Sequence, residues 1–154
     1  MYIALYSAFY SEETLQYLKA TIAYLEQNGH RFTIIHRLKK QLQAENQGYT
    51  YFDEETPLKK DIDFLFSIGG DGTILRAVTL VRDTEIPILG INTGRLGFLT
   101  SLHRDALNEG LNLFFQNYGK DRRCRFAPQQ KGRNRTHVHF RNWSPNGATH
   151  SHRR

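Results

Sequence analysis

The feature that most constrains this chain is a short apolar run that ends in glycines. Ile62, Phe64, Leu65, Phe66 and Ile68 form a near-continuous hydrophobic stretch, followed at once by Gly69, Gly70, Asp71, Gly72 and Thr73. A strand that is apolar on both faces belongs inside a parallel sheet covered by helices on each side. After the glycines, Ile74, Leu75, Val78 and Val81 recur at the spacing of a buried helix face. The segment is therefore a strand, a tight turn and a helix, with backbone N–H groups at the turn free to face an anion. Glycine suits such a turn because it permits positive φ and a close approach of the backbone to a ligand. Asp71 is the only acidic residue among these glycines.

The flanking sequence builds the same kind of unit on both sides. Tyr2 to Tyr6 reads as a buried strand, and Ser11 followed by Glu12 and Glu13 reads as a helix start. Leu15, Leu18, Ile22 and Leu25 then share one helical face, and Asn28-Gly29 supplies the stop. Arg31 to His36 is the next strand, which completes a βαβ unit of expected right-handed crossover. Leu38 to Leu58 is polar and predicts a weak helix followed by a connection. Beyond the central unit, Ile86 to Ile91 is a further buried strand with Pro87 tolerated near its start. Asn92 to Phe98 forms a second glycine-bearing loop, and Arg104 to Phe115 an amphipathic helix through Leu107, Leu111, Phe114 and Phe115. The expected fold class is α/β: an open, mostly parallel, Rossmann-like sheet flanked by helices.

Charge divides the chain into two expected parts. Residues 1–119 hold 11 Lys and Arg against 14 Asp and Glu, a net of −3; residues 120–154 hold 10 against 1, a net of +9. Apolar residues in the second part are isolated, so it cannot offset its ordering entropy and is expected to be disordered. The expected organisation is an α/β domain over residues 1–118 and a basic, low-order tail over residues 119–154. The single Cys124 excludes an intramolecular disulfide and a cysteine-built zinc site and fits a reducing compartment. With no basic leader and no long apolar run, a cytoplasmic location and no membrane partner are expected.

The turn is neither a Walker A sequence, since the Lys-Ser/Thr pair is missing, nor a dinucleotide GxGxxG. SIGGDGTILRA at residues 67–77 together with PILGINTGRLGFLT at residues 87–100 resembles the NAD kinase family. The first stretch is shared in similar form with diacylglycerol and sphingosine kinases and with phosphofructokinases, and the second narrows the resemblance. It implies transfer of a phosphoryl group from ATP to the 2′-hydroxyl of the adenosine ribose of NAD, with a divalent cation such as Mg²⁺. It further implies Asp71 as proton acceptor, with Gly69, Gly70, Asp71, Gly72 and Thr73 against the nucleotide and Arg76 at a basic position near it. Asn92, Thr93, Gly94 and Arg95 are expected beside the ligand, at the C-terminal end of a strand where open α/β sheets bind. Small-molecule nucleotides are the implied partners, and homo-oligomers the implied assembly.

The sequence also departs from that family. The Asn-Glu pair and the motif around Thr-Ala-Tyr, carried by a C-terminal β domain, are not found, and neither Asn108-Glu109 nor Ala148-Thr149 replaces them. The change of texture after about Tyr118 leads to the expectation that residues 120–154 are translated out of frame. NAD kinase activity, incomplete or weak in this chain, is thus weighed against a non-catalytic nucleotide-binding fragment. A nucleic-acid-binding protein that uses its basic tail is the weaker competitor, since nothing in residues 1–119 requires it. A lipid or sugar kinase is opposed by NTGRLGFL. Asp61, Asp63 and Asp53 to Glu55 fit charged loop faces better than a metal site, and His137, His139, His150 and His152 fit tail composition better than metal ligands.

Overall fold

The computed structural model describes residues 1–45, 48–93 and 107–119. Five strands form one sheet: β1 (Tyr2–Tyr6), β2 (Arg31–Ile35), β3 (Tyr51–Phe52), β4 (Phe64–Ile68) and β5 (Ile88–Ile91). Among the described residues three α-helices accompany them: α1 (Glu12–Gln27), α2 (Asp71–Val81) and α3 (Leu107–Gly119). The sheet order is β3-β2-β1-β4-β5 and all four pairings are parallel. Chain order runs outward from β1 in one direction through β2 and β3, then returns to β4 and leaves the other way. The switch point lies between β1 and β4, and right-handed crossovers in opposite directions require α1 and α2 on opposite faces of the sheet.

The central strands justify their sequence pattern. All five residues of β1 are buried, and Leu65, Phe66 and Ile68 of β4 are fully inaccessible. Phe64 and Phe66, two apart and hence on one face, meet Phe114 of α3 with ring centroids 4.9 and 5.4 Å away. Tyr24 of α1 stacks on Phe115 at 5.8 Å and donates its hydroxyl hydrogen bond to Asn112 Oδ1 at 2.7 Å, so α1 and α3 cover the same face. At the N-terminal end of the sheet, the Tyr2 amide donates to the Asp63 carboxylate and the Asp63 amide to the Tyr2 carbonyl, both at 2.8 Å. That exchange fixes the register between β1 and the strand beside it.

Several expectations need correction. Leu38 to Leu58 is not one weak helix but two 3-10 turns, His36–Leu38 and Lys40–Glu45, followed by the short strand β3. Leu42 and Leu58 are buried there and anchor the connection. Ile62 and Ile86 are buried but lie outside the strands they were expected to begin. Leu75 is 62% exposed rather than on the buried face of α2, which is formed by Ile74, Ala77, Leu80 and Val81. The basic tail, residues 94–106 and the expected helix start at Arg104 lie outside the described residues.

Candidate functional site

The site forms where β1 and β4 end side by side. Ile68 passes into Gly69, whose φ of +152° is one that side chains rarely adopt. A Cβ there would lie 2.3 Å from Thr73 Oγ1 and 2.9 Å from Thr73 Cβ, so the turn closes on itself and only glycine fits. The Gly69 amide donates to the Ile91 carbonyl at 2.9 Å, which ties the turn to the end of β5 and brings Asn92 and Thr93 to the same end of the sheet. Gly70 and Gly72 differ from Gly69. A Cβ added to either would meet nothing within 4 Å, so packing alone demands neither glycine.

Gly70 is the N-cap of α2 and provides no side-chain cap, while Asp71 is the acidic residue of the first turn. The first amides of a helix lack intrahelical acceptors and carry the positive end of its dipole. Here the Thr73 amide donates to the Gly70 carbonyl at 2.9 Å, the space where Gly70 and Gly72 would carry side chains is free, and a carboxylate stands in the same turn. Such a turn can hold an oxyanion against backbone N–H groups and present a proton acceptor beside it.

Of the expected site residues, Gly69, Gly70, Asp71, Gly72 and Thr73 form this turn, and Thr73 is buried beneath it. Arg76 lies on the exposed side of α2, its guanidinium 4.9 Å from the centroid of the Phe9 ring. Asn92 and Thr93 are 1% and 8% exposed, so both are buried just past the end of β5. Gly94 and Arg95 lie outside the described residues.

The acidic run considered as a metal site has another role. Glu54 forms an ion pair with Arg37 and accepts the Tyr6 hydroxyl hydrogen bond at 2.8 Å. Arg37 in turn donates to the Ala8 carbonyl at 2.7 Å. Burial, reinforced by the bond to Glu54, pushes the Tyr6 phenol up to about 12. Asp53 lies 3.7 Å from His36, Asp61 lies 3.8 Å from Arg31, and Asp63 is spent on the Tyr2 amide. Among the described residues no group of three His, Cys, Asp or Glu is placed to hold a metal ion. Sequence reasoning missed this clamp and also Phe9; the aromatic pair Phe9-Tyr10, exposed in a strand-to-helix loop, was the available signal.

Fold and site together define a doubly wound α/β protein with an anion-receptive glycine turn at its switch point. The ATP-NAD kinase N-terminal domain family matches residues 7–118, and the chain belongs to the NAD kinase family. It is 39% identical over 120 residues to NAD kinase of Flavobacterium psychrophilum, an alignment covering 75% of this chain and 40% of that protein. To NAD kinase of Christiangramia forsetii it is 35% identical over 114 residues, covering 72% and 39%. The fold is that of yeast NADH kinase, solved in complex with NADH, with a TM-score of 0.58 at 16% identity over 75% of this chain and 37% of that one. The chain spans about two fifths of the length of these relatives. Among the described residues no helix is long and apolar enough to cross a membrane.

Proposed function

We propose that residues 1–118 are the nucleotide-cradling part of an NAD kinase, which phosphorylates the 2′-hydroxyl of the adenosine ribose of NAD at the expense of ATP. The observation that carries this reading is the uncapped turn at Gly70, open above Gly70 and Gly72 and bearing Asp71. Asp71 takes the proton of the attacking hydroxyl, the ribose oxygen bonds to the γ-phosphorus, and the bond to the bridging oxygen breaks to release ADP. Phosphoryl transfer of this kind depends chiefly on positioning and charge stabilisation, which backbone amides at a helix start supply. A divalent cation such as Mg²⁺ would, when bound with ATP, offset the charge of its phosphates.

The test is formation of NADP from NAD, ATP and Mg²⁺ by the purified chain. Asp71→Asn is expected to lower that rate by about 10² to 10⁴-fold, the range for loss of a general base, in a chain that still folds. The second reading, a nucleotide-binding unit without turnover, draws on the same open turn, which accounts for anion binding whether or not a phosphoryl group is transferred. Folded protein that binds ATP or NAD yet makes no NADP would establish it. A folded chain that binds neither nucleotide overturns both.

A further inference from the structure

We propose that Phe9 is a positioning residue, which holds the Arg76 guanidinium beside the Gly69–Thr73 turn to receive the phosphate chain of a nucleotide; this rests on the nucleotide-binding reading above. Phe9 lies in the loop after β1, and Arg76 on the helix after β4, two strands that are hydrogen-bonded neighbours. The backbone of that loop is fastened on both sides of the peptide that carries Phe9. Arg37 donates to the Ala8 carbonyl at 2.7 Å, and the Ser7 hydroxyl, itself 1% exposed, donates to the Phe9 carbonyl at 2.9 Å.

On this fixed backbone Phe9 is 59% exposed, so its burial does little to hold the fold. What it touches is Arg76, with the guanidinium carbon 4.9 Å from the ring centroid. A guanidinium stacked on an aromatic face keeps its N–H donors at the edge, where they match phosphate oxygens. Among the described residues, ion pairs involve Arg31 with Asp61, His36 with Asp53 and Arg37 with Glu54, and none involves Arg76. Arg76 follows Gly72 by four residues, so the two share one helix face. That face is open at Gly72, where an added Cβ meets nothing within 4 Å. A cation restrained by an exposed ring, on the helix face left open at Gly72, forms the second wall of a phosphate cradle.

The experiment titrates the full chain and its variants with ATP, NAD and inorganic tripolyphosphate by calorimetry. Phe9→Ala is expected to weaken binding by about two- to fivefold, the scale of an exposed cation–π contact, with an unchanged thermal midpoint. Arg76→Gln is expected to weaken it by about tenfold or more. The double variant should lose no more than Arg76→Gln alone, because Phe9 acts only through Arg76, and Phe9→Tyr should restore binding. A loss shared by ATP and tripolyphosphate assigns the contact to the donor's triphosphate, and a loss confined to NAD assigns it to the acceptor's pyrophosphate. Unchanged affinity in Phe9→Ala, or losses that multiply in the double variant, overturns the inference and leaves the functional reading standing. A wild-type chain that binds none of the three probes overturns both.

Discussion

The two helices that leave the switch point start in opposite ways. α1 begins at Ser11, in extended backbone at φ −148° and ψ 160°, and the serine side chain accepts from the Thr14 amide at 3.0 Å. Glu12 and Glu13 add two negative charges to its first turn. α2 begins at Gly70, also extended at φ −90° and ψ −171°, with no side chain to accept anything and a single acid, Asp71. Their parent strands pair directly, and both turns open on the same end of the sheet. The first helix start is capped by its own serine; the second has no side-chain cap. A helix end capped by glycine instead of serine forgoes a few tenths of a kcal/mol, and here the same end carries the glycines that keep its surroundings open.

The largest expected effect comes from closing the difference at its tightest point. Gly69→Ala places a methyl group against the side chain of Thr73, which is β-branched and buried, and holds alanine in a backbone region it avoids. Overpacking and backbone strain each cost about 1 to 3 kcal/mol, so chemical denaturation should show a loss of about 2 to 6 kcal/mol. A loss below about 1 kcal/mol would mean that the turn can relax and that Gly69 serves the ligand instead of the fold.

The next effect concerns what fastens the first turn. Tyr6 at the end of β1 is protonated in the fold up to about 12, whereas an unfolded tyrosine ionises near 10. The folded state therefore favours the neutral phenol. Its stabilising contribution is complete below pH 10 and is lost as pH rises from 10 to 12. Linkage bounds this at about 2 to 3 kcal/mol. Denaturation between pH 9 and 12 should show the slope, and Tyr6→Phe should remove most of it. A smaller effect, about 1 kcal/mol, is expected from Ser11→Ala, which strips the cap from α1. It should leave nucleotide affinity unchanged, because that helix start was never open.

Much of this contrast was legible in the residues themselves. Ser11 with two following glutamates announces a capped helix, and three glycines around Asp71 announce a turn of unusual backbone. The continuous apolar runs of β1 and β4 announced a parallel sheet, since nothing polar alternates with them. What could not be read was the division of labour among the glycines. Only Gly69 is dictated by conformation and contact; Gly70 and Gly72 are not, and sequence shows all three as one letter. β3 escaped because two residues, Tyr51 and Phe52, carry no period, and pairing with β2 decides their state. The acidic run at Asp53 to Glu55 escaped because its meaning lies in partners far along the chain, Arg37 and Tyr6. The position of Arg76 was legible, but the ring that holds it was not, since Phe9 is a lone exposed aromatic whose contact exists only once β1 lies beside β4.

The smallest change in stability divides the two helix starts most cleanly. Gly70→Ser would give α2 the cap that α1 already has, in backbone that serine accepts, and should gain a few tenths of a kcal/mol. Gly72→Ala removes a glycine from the first turn of the helix and should gain about 0.5 to 1 kcal/mol, since its Cβ meets no atom of the protein. If folding were the only constraint on this turn, both variants would be improvements without cost. If the turn holds the phosphates of a nucleotide, the serine hydroxyl takes the amides the ligand needs and the alanine methyl enters the space it occupies. Calorimetric titration with ATP and NAD should then show weaker binding in proteins that unfold later than the wild type. Opposite signs in stability and affinity cannot arise from a damaged fold, whereas unchanged affinity in both variants would mean that the open turn is vacant by accident of sequence and not for a ligand.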